Sequence, residues 1–339
     1  MRPSVPLIRN PHLLTIAGSF WPRRLNLARF PARERRYRTE PAVEVLVHEH
    51  ACGGAARGEL ILVHGLEGSN AAGYIRSMAQ AALEGGYNVH RMNLRGCGGD
   101  YDNLYHGGLT HDLRAISETL RRDRGGPLFV VGYSLGGNIV LKLAGEWGES
   151  ARECLAGICA VSTPLDLEAC VRKIDAPRNR LYSWWFLRSL KARYRRRCRL
   201  HPDRYQSNGV GEARSIYDFD DRITAPAFGF GGASEYYRTQ SACRFLDRIR
   251  VPTLLLHAKD DPMIPLSAYD HPALRENPAI ELRLLEHGGH LGFLARRRPR
   301  FWLDGVIVEW LDAVRRDAAG PPLSEERDAN SARSAPLSE

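Results

Sequence analysis

What most constrains this chain is a rhythm. Short apolar runs recur along it, separated by stretches with helical spacing. Residues 43–48, 60–63, 87–94, 127–132, 156–161, 253–258 and 280–285 read as strands. Residues 71–83, 109–122, 135–147 and 301–314 read as helices; in 109–122 the apolar residues fall at 109, 113, 116 and 120, on one helical face. Apolar strands joined through helices call for an α/β fold with a mostly parallel central sheet, helices on both faces and right-handed crossovers. Residues 165–240 break the rhythm. They are long, rich in arginine and aromatic residues, and fall between two strands, so they are expected to be a cap inserted between core segments 42–164 and 241–316. Residues 1–41 read as a basic N-terminal segment, and the polar stretch 317–339 reads as a disordered tail.

Composition narrows the class. Hydrophobic residues make up 43% and charged residues 26%, which excludes a wholly disordered or collagen-like chain. No apolar run of about 18 residues is present, so no membrane-spanning helix is expected. The N-terminus carries Arg2 and Arg9 but no apolar signal core, so secretion is not expected. Seven scattered cysteines without a C-x-x-C pair argue against a zinc site and against a disulfide scaffold; reduced thiols suit the cytoplasm. The net charge of +9 is local: residues 1–38 and 165–204 each carry net +8, and the remainder is acidic.

The sharpest motif is Gly132-Tyr133-Ser134-Leu135-Gly136, between an apolar strand and a helix. A serine presented on so tight a strand-to-helix turn needs small neighbours two positions away. The pattern is short enough to arise by chance, and its placement gives it weight. A serine hydroxyl is a poor nucleophile at neutral pH; it needs a base, and the base needs an orienting carboxylate. After the strand at 253–258 come Asp260 and Asp261; after that at 280–285 come His287 and His290. The turn that follows favours Asp261; Asp260 is the second choice, its plainer role being to cap that turn. Two preceding glycines free the loop of His290, which is preferred over His287. Backbone N–H groups of Leu66, in the His64–Gly68 loop, and of Leu135 are the expected oxyanion donors. His64 itself reads as a brace for that loop.

Taken together, Asn10-Pro11-His12-Leu13, the HGLEGS loop at 64–69, Arg95-Gly96-Cys97-Gly98-Gly99, Tyr105-His106-Gly107-Gly108, GYSLGGN at 132–138, FDDRITAP at 219–226 and HAKDDP at 257–262 resemble the YheT-like group (AB hydrolase 4) of the α/β-hydrolase fold. The resemblance spans about residues 10–312; Leu14 departs from it, where glutamine is more usual. It implies an α/β-hydrolase fold and a carboxylic ester hydrolase in which Ser134, Asp261 and His290 form the charge relay. Some relatives carry an H-x-x-x-x-D pattern tied to acyl transfer. Five residues after His287 and His290 stand Gly292 and Ala295, so acyltransferase activity is not expected.

Other cues have competing readings. Tyr182-Ser183-Trp184-Trp185-Phe186 could wall an acyl site or pack the cap. Arg193, Arg195, Arg196 and Arg197 read first as a solvated face and second as a contact for anionic membrane; nucleic acid is not expected. His106, His111 and Asp112 lack a metal-binding pattern, Gly96, Gly98 and Gly99 lack the dinucleotide spacing, and Cys97 reads as a packed loop residue. The expectation is a cytoplasmic serine esterase without cofactor or metal, acting on small-molecule or lipid esters, with peripheral contact with the inner membrane surface as an option. The rival readings are a lipase or phospholipase acting on medium-chain lipid esters at a membrane surface, and a non-catalytic binding protein.

Overall fold

The computed structural model describes residues 5–99 and 101–319. Eight strands, β1 (Ala32–Glu40), β2 (Val43–His50), β3 (Glu59–Val63), β4 (Asn88–Met92), β5 (Leu128–Tyr133), β6 (Gly157–Val161), β7 (Thr253–Ala258) and β8 (Ile280–Leu285), form one sheet in the order β1-β2-β4-β3-β5-β6-β7-β8. β1 and β2 run antiparallel, as do β2 and β4; every later pairing is parallel. The helices of eight residues or more are α1 (Pro11–Phe20), α2 (Gly73–Glu84), α3 (His111–Arg124), α4 (Leu135–Trp147), α5 (Leu167–Asp175), α6 (Arg180–Leu200), α7 (Ala233–Gln240) and α8 (Trp302–Ala319).

The central strands β3, β5 and β6 are buried at every position, because both faces of the sheet are covered. Alternate side chains feed opposite layers. Ile61 and Val63 pack with Leu113, Ile116 and Leu120 of α3 and Ile139 and Leu143 of α4. Leu60 and Leu62 pack with Ile75 and Met78 of α2 and Ile307 and Trp310 of α8. This arrangement brings the C-terminal ends of β5, β7 and β8 to one edge, where crevices form in open α/β sheets.

Two elements lie where a basic segment outside the core was expected. β1 is the outer strand of the sheet. Its sequence, ARERRYRTE, shows no apolar alternation because only Tyr37 is buried, and the charged side chains of a solvated edge also discourage pairing with other chains. α1 is too short to announce itself by periodicity. Its start is fixed by Asn10, whose side chain accepts the N–H groups of His12 and Leu13 at 3.0 Å, and by Pro11 in the first turn. The broken rhythm of 165–240 corresponds to α5–α7 and shorter turns, with no strand between β6 and β7 among the described residues. α8 runs to Ala319, three residues into the stretch expected as a tail; residues 320–339 lie outside the described residues.

Candidate active site

Ser134 closes β5 and precedes α4 with φ 51° and ψ −121°, a strained backbone for a residue with a side chain. Its N–H donates to the carbonyl of Val161 at 2.8 Å, tying the turn to β6. The motif's second glycine follows from close packing. A Cβ on Gly136 would lie 2.5 Å from the Val63 carbonyl oxygen and 2.6 Å from that of His64. Only glycine lets α4 start this close to β3.

His290 Nε2 lies 3.0 Å from Ser134 Oγ, and its Nδ1 lies 2.9 Å from Asp261 Oδ2. The other carboxylate oxygen of Asp261 accepts the N–H groups of Met263 and Ile264 at 2.8 and 3.0 Å. Burial alone would raise the Asp261 pKa, but the facing His290 and these hydrogen bonds hold it below the usual carboxylate range. Asp260 and His287 pair with one another at 3.1 Å, away from the serine. Asp260 also accepts the N–H groups of Gly288 and Gly289 at 2.9 Å, so it shapes the loop that carries His290.

Several residues that steady this arrangement had no local signal in the sequence. Thr15 of α1 accepts the His290 N–H at 2.8 Å and donates to the Pro11 carbonyl at 2.7 Å. It stands 275 positions away in the chain. From α5, Lys173 donates to the carbonyls of Asp261 and Ile264, both at 2.8 Å. From α6, Ser189 donates to Glu67 at 2.6 Å, and Arg193 Nε lies 3.2 Å from the same carboxylate oxygen. The Glu67 N–H donates to the Tyr105 hydroxyl at 3.0 Å. Glu67 has φ 57° and follows Leu66, so α6 grips the loop between β3 and α2 directly. Arg197 reaches the carbonyls of Gly96 and Asn103, each at 2.8 Å. The arginine cluster therefore divides: Arg193 and Arg197, one turn apart, point inward, while Arg195 and Arg196 are exposed.

Leu135 is the first residue of α4, so its N–H has no acceptor within the helix. Leu66 and Leu135 line a cavity of about 70 Å³ beneath the segment between β6 and β7, together with His106, Leu190, Asp220 and Tyr236. His64 is a brace: Nδ1 donates to the Gly65 carbonyl at 2.8 Å and Nε2 accepts the Leu94 N–H at 3.1 Å. Burial pushes its pKa down to about 4. His106 is enclosed by Phe228, Phe230 and Tyr236, and burial pushes it down to about 3. His257 stacks on Tyr269 with ring centres 3.9 Å apart; neither ring nitrogen has a partner among the described residues.

Of the aromatic run, Tyr182 and Phe186 pack against the core, whereas Trp184 and Trp185 are 58% and 54% exposed. Cys97 is buried beside Arg193. All seven cysteines are free thiols, and no group of metal-binding side chains occurs among the described residues. No helix there is long and apolar enough to cross a membrane.

A sequence profile of the alpha/beta hydrolase fold matches residues 59–296. YheT of Escherichia coli (strain K12), named a putative esterase, is 37% identical over 260 residues, covering 74% of this chain and 76% of that protein. Phospholipase ABHD3 of Mus musculus is 28% identical over 267 residues, covering 77% of this chain and 64% of that protein. A monoacylglycerol lipase of Saccharomyces cerevisiae is 29% identical over 272 residues, covering 76% and 59%. This chain thus spans less than two thirds of those two eukaryotic proteins. Among solved structures, Pyrococcus furiosus esterase Pf2001 shares the fold with a TM-score of 0.58 at 16% identity, covering 86% of this chain and 98% of that one.

Proposed function

The chain belongs to the α/β-hydrolase fold family and to its YheT-like group, and from that premise we propose that it is a serine hydrolase cleaving carboxylic esters through an acyl-enzyme. The observation that carries the reading is the unbroken hydrogen-bonded chain from Ser134 through His290 to Asp261. His290 Nε2 takes the hydroxyl proton as Ser134 Oγ attacks the ester carbonyl carbon. The carbonyl oxygen gains the negative charge and is met by the N–H groups of Leu66 and Leu135. The C–O bond to the alcohol then breaks, and the alcohol leaves with the proton held on His290. Water enters, gives a proton to the same nitrogen and attacks the acyl carbon; the acyl–Oγ bond then breaks, the acid leaves, and the proton passes from His290 to Ser134 Oγ. Asp261 keeps a proton on Nδ1 and stabilises the transient imidazolium. No step calls for a metal or cofactor. Residues 165–240 act as the cap over the acyl group in this reading, and the free thiols suit a cytoplasmic setting.

A second reading is a lipase or phospholipase acting on medium-chain lipid esters at a membrane surface. The names of the eukaryotic relatives and the two exposed tryptophans on α6 favour it. Both readings are tested by labelling with a fluorophosphonate probe, wild type beside Ser134→Ala, and locating the adduct by mass spectrometry. An adduct on Ser134 that disappears in the variant is expected, and esters graded by chain length then separate the two. A folded protein that takes up no probe would overturn both in favour of a non-catalytic binding role.

A further inference from the structure

Eleven large apolar side chains are exposed among the described residues, and seven of them sit on α1 and α6. Leu13, Ile16 and Phe20 form one stripe of α1, spaced three and four residues apart and 54%, 49% and 79% exposed. Leu181, Trp184 and Trp185 form one stripe of α6, and Leu181 is 74% exposed. The stripes adjoin. His12 of α1 stacks on Tyr182 of α6 with ring centres 5.7 Å apart, and His12 Nδ1 lies 3.2 Å from the Tyr182 hydroxyl. The opposite faces are spent inward: α1 buries Leu14, Thr15 and Gly18 against the His290 loop, and α6 holds Glu67. A contiguous apolar patch rarely stays open to water on a monomer without a partner.

Charge selects among partners. The chain carries no acidic residue before Glu34 and none from 176 to 202, where nine cations occur. Arg9, Arg24, Arg178, Arg180 and Arg188 are exposed around the stripes, and Arg188 lies over the Trp184 ring at 5.5 Å. Two copies meeting through this face would press like charges together. A nucleic acid would leave the apolar stripes uncovered. An anionic bilayer satisfies both: leucine, isoleucine, phenylalanine and tryptophan enter the boundary between headgroups and chains, while arginines meet phosphate.

We propose that the outer faces of α1 and α6 form one docking surface for an anionic phospholipid bilayer, seated beside the catalytic loops those helices brace. The surface lends purpose to the lipid-ester reading and rests on it only for that purpose, because docking needs no working serine. Each cation near an anionic leaflet strengthens binding about fivefold, and each deeply seated apolar side chain about tenfold.

The test is co-sedimentation of the full chain, wild type and Ser134→Ala, with vesicles of phosphatidylcholine alone or mixed with phosphatidylglycerol. Both proteins should pellet with the anionic vesicles, far less with the neutral ones, and less at high salt. Ile16→Ser combined with Trp184→Ser should weaken binding by about a hundredfold while the circular dichroism spectrum stays that of wild type. Should that variant not fold, Trp184→Phe with Trp185→Phe keeps the apolar face and removes the two reporters on α6: it should bind like wild type but lose the share of quenching by brominated lipid that those two contribute. Failure to pellet with anionic vesicles, binding untouched by the serine substitutions, or a dimer that those substitutions split would each overturn the proposal. Vesicle binding without any ester hydrolysis would instead defeat the functional reading and leave the docking surface standing.

Discussion

Replacing Arg193 with methionine probes how tightly α6 holds the loop that follows β3. The Glu67 side chain is 1% exposed and that of Arg193 is 18% exposed, with Nε and Oε2 3.2 Å apart. At an effective dielectric of about 20, two unit charges at that separation attract by about 5 kcal/mol. Desolvation of both groups offsets much of this, so the net value of the pair is small, but removing one partner leaves the other charge stranded. Arg193→Met keeps the apolar stem and leaves the Glu67 carboxylate with only the Ser189 and Tyr105 hydroxyls. The Gly96 carbonyl retains its bond from Arg197. Arg193→Met should therefore cost roughly 3–5 kcal/mol in urea unfolding. Glu67→Gln should cost less, because Arg193 also contacts Gly96 and Cys97 and can move toward solvent. The double variant should recover part of the loss, with a coupling energy of about 1–3 kcal/mol. Since Glu67 adjoins Leu66, kcat toward a soluble ester should fall in Arg193→Met, up to the roughly 100-fold that loss of one oxyanion donor brings. An Arg193→Met protein within about 0.5 kcal/mol of wild type, or single costs that simply add in the double variant, would refute the buried pair as the clamp.

Two further predictions concern single residues. Thr15→Val removes the acceptor for the His290 N–H; it should cost about 1–3 kcal/mol of stability and lower kcat with KM little changed, while Thr15→Ser restores both, and steady-state kinetics at wild-type level in Thr15→Val would exclude the bracing role. Asp220 is pushed up to about 6 by burial, although Thr224 and Tyr237 donate to its carboxylate. A folded pKa raised above the unfolded value of about 3.9 stabilises fully below that value, and the contribution is lost as pH rises through 6. Between pH 4 and 7.5 the unfolding free energy of wild type should thus fall relative to Asp220→Asn by roughly 1–3 kcal/mol, and parallel urea profiles would contradict it.

The parts of the molecule legible in its sequence are those in which neighbours in the chain do the chemistry. β5, the Ser134 turn and α4 are contiguous, so the strand run, the glycine spacing and the helix appear together. Asp261 follows the buried β7 and His290 follows the apolar run of β8, which is only partly buried, so a short search after each run finds them. β1 was not legible because an edge strand with charges at most positions shows no apolar period. Thr15, Lys173 and Glu67 were not legible because their work is done across the fold, on partners 275, 88 and 126 positions away. The arginines of α6 read as one solvated cluster until the helix phase sorts Arg193 and Arg197 from their neighbours.

The bond from Thr15 to His290 also has a meaning in time. Contacts between residues so far apart in sequence form late, since loop closure must come before they can stabilise anything. A chain emerging N-terminus first can complete β3, β4 and β5 and set Ser134 on its turn well before β8 and the His290 loop exist. Until then α1 lacks the loop against which it buries Leu14, Thr15 and Gly18. On the proposed reading the nucleophile is thus set early and its base is seated last, so a half-folded chain would hold an inert serine until α1 and the His290 loop have met.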